Sequence, residues 1–127
     1  MRNQVAIRER YLRDPLSIRL GGLAANLARI KSFSEHPDHH DVTEGLLEES
    51  KFFIEWSTSD AGLDVQTVLV ELQIKLAWWQ RHWKSILADP FQREAVTEQI
   101  HKWSKRVLEM SGLLDQAQDH DIGNKKD

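Results

Sequence analysis

Cysteine is absent from this 127-residue chain. That excludes disulfides, thiolate nucleophiles and cysteine-based zinc sites. It also accords with a reducing compartment, so a cytoplasmic location is expected. No apolar run approaches the roughly 20 residues that a membrane span requires. Residues 1–13 lack the uncharged apolar stretch of a secretory signal. No membrane partner is expected. A positive charge excess is missing too: a formal net charge of −3 and a pI near 6.1 speak against a dedicated nucleic-acid binder. Strand signals are wanting, with no sustained apolar–polar alternation and no hairpin dipeptide between β-rich runs.

What the chain does have is helical periodicity. Its length suits one domain and lets roughly two-thirds of the unfolded surface be buried. Leu16, Leu20, Leu23, Leu27 and Ile30 fall at alternating steps of four and three, which makes one apolar stripe on a helix. Asp14-Pro15 precedes them as a cap-plus-proline start. Val5 and Leu12 keep the register of Leu16, so residues 2–12 form either a separate short helix or the front of one kinked at Pro15. Gly21-Gly22 weakens the helix locally and suits close approach of a neighbouring backbone.

A second helix is expected over 42–56, with Val42, Leu46, Phe53 and Trp56 on one face, Glu49 interrupting it, and Leu47 and Ile54 widening it. The third has the fullest pattern: Val65, Leu69, Leu72, Leu76, Trp79, Trp83 and Ile86 run without a miss. Asp89-Pro90 repeats the start device, and Val96, Ile100, Trp103, Val107, Met110 and Leu114 follow in step. Residues 115–127 lose the pattern and read as a polar, frayed tail. The fold expected is an all-α, antiparallel up-down-up-down four-helix bundle over 1–114, with a short extra N-terminal helix or extension.

Charge is unevenly spread. Residues 1–31 carry seven basic and two acidic groups, residues 32–64 one basic and nine acidic. Complementarity between helices is the simplest account, and an acidic face for a basic partner the other.

Candidate chemistry is sparse. The loop His36, Asp38, His39, His40 offers imidazole and carboxylate, the ligands that borderline divalent metals accept. A flexible loop split by Pro37 makes it a weak metal site. Glu98 and His101 match the Glu-x-x-His spacing of di-iron bundles, but those need a second such motif and further inward carboxylates. His82 and His101 invite comparison with phosphoryl relay, against which stands Trp83 directly after His82. No glycine-rich phosphate loop, nucleophile–base pair or paired carboxylates are found, and no cofactor is implied.

The tryptophans are more informative. Trp56, Trp79, Trp83 and Trp103 lie on stripes and are expected in the core. Trp78 does not. With Val70, Ile74 and His82 it forms a second face of the third helix, of a kind that marks partner surfaces when exposed. The expected role is a non-enzymatic helical interaction module, most simply a homodimer through this face. A small-ligand or metal-binding protein using the bundle interior or the His36–His39–His40 loop is the alternative.

Overall fold

The computed structural model describes residues 3–114. Within them every regular element is helical. The polar tail expected at 115–127 lies outside the described residues.

Helix α1 (Gln4–Arg13) starts on Asn3, whose side-chain oxygen accepts from the amide of Ala6 at 3.2 Å. It stops at Asp14, which is extended with ψ 149°, because the ring of Pro15 excludes the helical conformation from the residue before it. The first helix is therefore separate. The expected Asp14 cap is corrected: α2 (Leu16–Ser34) has Pro15 at its cap position with no side-chain cap bond. The Asp14 carbonyl accepts from Arg19 Nε instead, at 3.0 Å. Nor do Val5 and Leu12 continue the stripe of α2, since α1 buries none of its residues and Val5 is exposed. Tyr11 docks α1, stacking on Phe53 of α3 (His40–Ser57) with centroids 4.1 Å apart and meeting Trp56 at 5.8 Å.

In α2 the expected stripe is buried, with Leu20, Leu23, Leu27 and Ile30 at its centre. Gly21 serves a close approach, but by a side chain rather than a backbone. A Cβ there would lie 2.6 Å from Leu113 Cδ1.

After a 3-10 turn at Pro37–His39, α3 is rotated so that the Leu47 and Ile54 side of its expected face points inward, and not the line of Val42, Leu46, Phe53 and Trp56. Thr43, Leu47, Ser50, Ile54 and Ser57 are buried, whereas Val42 is exposed and Leu46, Phe53 and Trp56 are half-buried. Hydroxyls can occupy a core when they bond back to their own helix. Thr43 donates to the His39 and His40 carbonyls, and Ser50 to that of Leu46. Thr43 also accepts the indole N–H of buried Trp83 at 2.7 Å, so a polar residue anchors the largest core side chain.

A second 3-10 turn, Thr58–Asp60, leads to α4 (Leu63–Arg81). The expected continuous third helix is interrupted at His82, where φ is −106° and ψ 12°, and α5 (Trp83–Ala88) follows. The stripe survives the break: Leu69, Leu72, Leu76, Trp79, Trp83 and Ile86 are all buried. Helix α6 (Pro90–Ser111) opens as expected, with Asp89 accepting from the Phe91 amide at 3.0 Å and Pro90 in the first turn. It closes on Gly112 in the left-handed region, φ 78°.

One connected core joins the helices. Each fully buried leucine or isoleucine in it contributes about 1.5–3 kcal/mol by leaving water. Helix α2 packs most extensively on α6 and next on α3, and α4 leans chiefly on α3. Polar cross-links mark the pairings: Arg19 of α2 with Asp60 just past α3, Asn26 of α2 with Glu49 in the middle of α3, and Ser104 of α6 with the Ala24 carbonyl of α2. No helix among the described residues is long and apolar enough to cross a membrane.

Candidate functional site

Helix α4 is apolar on two sides, and the fold uses only one of them. With Leu69, Leu72, Leu76 and Trp79 directed inward, Val70, Ile74 and Trp78 fall on the opposite side. They remain 52%, 66% and 56% exposed. Leu63, in the first turn of the same helix, is 77% exposed. The four form a ridge along the helix, at the residues where the sequence suggested a second face.

Beside the ridge, α4 and the N-terminal half of α6 enclose a groove of about 540 Å³. Ile74, Trp78 and Trp79 form one wall, Phe91 and Val96 the other, and Ile86 lies between. Phe91, at 82% the most exposed large apolar side chain described, stands at its rim. Further along the same two helices a shallower hollow of about 300 Å³ takes its lining from Glu71, Lys75, Lys102, Trp103 and Arg106. There the Arg106 guanidinium lies 5.0 Å from the Trp103 ring centre and 4.0 Å from the Glu71 carboxylate. His82, half-buried at the end of α4, packs its ring on Trp78 with centroids 4.4 Å apart. The structure thus brings all four expected surface residues together. It adds Leu63 and Phe91, which the sequence reading missed. Phe91 lay off every stripe, in the polar first turn of α6, and its only signal was a large apolar residue where none is needed.

The histidine loop is arranged differently. His39 and Phe33 meet edge-to-face at 5.3 Å, and His36 meets His39 at 5.8 Å. Asp38 is exposed. His40 turns to its own helix, with Nδ1 3.4 Å from Asp41 and 3.5 Å from Glu44. Among the described residues no three histidine or carboxylate side chains gather as a metal would need. Glu98 is exposed and His101 half-buried on α6, on different levels of the surface.

A third region joins α1 to the rest of the core. Tyr11 Oη donates to the Arg19 carbonyl at 2.9 Å and shares a 3.1 Å hydrogen bond with Ser57. Burial pushes the phenol up to about 12, against the smaller opposing effects of the Ser57 bond and the Arg19 charge. Arg19, itself buried, reaches Asp60 at 3.0 Å and so closes the end of α3 onto α2. Every polar group in this cluster has a partner inside the fold, which makes it a clamp.

No protein-family model matches the chain, and neither does any curated protein or solved structure.

Proposed function

We propose that this protein is a non-enzymatic helical interaction module that self-associates through the outer face of α4 and the groove beside it. One observation carries the proposal. Five large apolar side chains, Leu63, Val70, Ile74, Trp78 and Phe91, stand more than half exposed on adjoining parts of one surface. Contiguous exposed apolar patches mark interaction surfaces, and tryptophan is enriched among the residues that carry binding energy there. Self-association is favoured because a ridge and a groove lie side by side. Two copies related by a two-fold axis present the same patch to each other, so the ridge of each can seat in the groove of the other.

The supporting architecture is read as a single domain over 1–114. Its four long helices, α2, α3, α4 and α6, make an up-down-up-down bundle with α1 as an extra arm. The cross-links Arg19–Asp60 and Asn26–Glu49 support that topology, since higher positions on α2 meet lower ones along α3 and just past it. The cysteine-free chain suits the cytoplasm, and its acidic balance suits a protein partner better than a nucleic acid.

The test is size-exclusion chromatography with light scattering on the wild type and Trp78→Asp. A dimer mass for the wild type and a monomer mass for the variant are expected. Two identical monomer profiles would end the proposal.

A further inference from the structure

We infer that two copies pair antiparallel along α4, with the two-fold axis passing beside residues 72–74. The inference rests on the self-association proposed above and adds the arrangement.

Two patterns on the outer surface of α4 carry it. The first is charge. One exposed flank of the ridge bears Asp64 and Glu71 in the N-terminal half of the helix and Lys75 in the C-terminal half. A parallel pairing, with its two-fold axis along the helices, would set this flank against the partner's opposite flank and keep Glu71 and Lys75 of the two copies apart. An antiparallel pairing about a perpendicular two-fold axis sets like flank against like flank in reversed order. Glu71 then comes level with the partner's Lys75 when the axis passes beside residue 73, and the symmetry makes this match twice. Helix dipoles are also opposed favourably in this arrangement.

The second pattern is apolar and does not depend on the first. Glu71 approaches Arg106, while Trp78 shares the groove with Phe91, so α6 descends along α4 as α4 ascends. Phe91 therefore stands near the C-terminal end of α4. With the axis beside residues 72–74, that level coincides with the first turn of α4 in the other copy, where Leu63 stands. The two most exposed large apolar residues described, 82% and 77%, would cover each other. Val70, Ile74 and Trp78 fill the seam between them. One axis position accounts for every exposed apolar group on this surface.

Because the chain has no cysteine, introduced thiols can report the arrangement directly. Three exposed or seam positions serve: Thr67→Cys, Ala77→Cys and Ile74→Cys. At a rise of about 1.5 Å per residue, Thr67 is about 9 Å from the axis level, so its two copies are about 18 Å apart along an antiparallel pair. A disulfide needs Cα atoms within roughly 7 Å. Under mild oxidation Thr67→Cys alone and Ala77→Cys alone are expected to stay uncrosslinked. Their mixture is expected to form a covalent heterodimer, and Ile74→Cys to crosslink with itself.

Crosslinking of Thr67→Cys with itself would show a parallel seam and overturn the inference while keeping the dimer. A dimer mass by light scattering with no crosslink at any position would place the interface elsewhere and overturn it as well. A monomer mass for the wild type would instead remove the self-association on which it rests.

Charge reversal gives an independent check. Glu71→Lys is expected to weaken the dimer roughly three- to tenfold, as exposed ion pairs do. Adding Lys75→Glu to it should restore wild-type affinity, and failure of that restoration would contradict the antiparallel match.

Discussion

The inner and outer faces of α4 are built from the same kinds of side chain and have opposite fates. Leu69, Leu72, Leu76 and Trp79 are almost wholly buried, while Val70, Ile74 and Trp78, one or two positions away, stand in solvent. Hydrophobic content alone did not decide which became core. The inner face packs chiefly on α3 and joins the shared core, and the outer face has only the open side toward α6. A helix with two apolar faces in a small domain thus carries one set of residues for folding and another for contact. Variants on the two faces should separate these roles.

The largest effect belongs to the inner face. Leu72→Ala removes a fully buried side chain and is expected to cost about 2–5 kcal/mol, measured by urea denaturation. A loss below 1 kcal/mol would mean that this face is less tightly packed than its burial indicates. Next comes the polar support of that core. Thr43→Val leaves the buried Trp83 indole N–H without its acceptor, at a cost of about 1–3 kcal/mol. Because Thr43 and valine have similar shape, an unchanged denaturation midpoint would show the hydrogen bond to be unimportant.

Tyr11→Phe should cost less, about 1 kcal/mol, by removing the bonds to Arg19 and Ser57. It carries a pH signature as well. The folded phenol titrates near 12, above the ordinary value of 10, so the unfolded chain ionises first as pH rises. The stabilisation is complete below pH 10 and is lost as pH climbs through 12. Tyr11 is the only tyrosine, so an ultraviolet phenolate titration reads it without interference. A midpoint at the ordinary value would contradict its burial, and in Tyr11→Phe this part of the alkaline loss should vanish.

The smallest effect on stability is expected on the outer face. Phe91→Ser should change the monomer's unfolding free energy by no more than about 0.5 kcal/mol. Its dimer dissociation constant should nevertheless rise at least roughly tenfold, because Phe91 is the most exposed large apolar side chain the dimer would cover. Sedimentation of the variant over a dilution series measures this. Weaker folding with unchanged association would reverse the division of labour between the faces.

Much of the helical core was legible in the sequence, because α2, α4 and α6 bury leucine, isoleucine and tryptophan at unbroken 4-3 spacing. Helix α3 was not. Its inward face uses Thr43, Ser50 and Ser57, which look like surface residues until their hydroxyls are seen bonded to carbonyls of the same helix. The break at His82 also left no mark, since neither proline nor glycine stands there. Docking of α1 by Tyr11 rather than by Val5 and Leu12 depended on Phe53 being half-exposed, a consequence of the same unexpected rotation of α3. Of the candidate surface, the half on α4 was readable as a second apolar face. Its α6 half was hidden, because Phe91 is an isolated apolar residue whose meaning comes from lying across a groove from Trp78.

Sedimentation equilibrium of the wild-type chain over a broad dilution series examines the exposed ridge most directly. A mass of two 14.8 kDa chains, giving way to one on dilution, is the predicted result. A single-chain mass at every concentration would contradict it and leave the outer face of α4 without the occupant assigned to it.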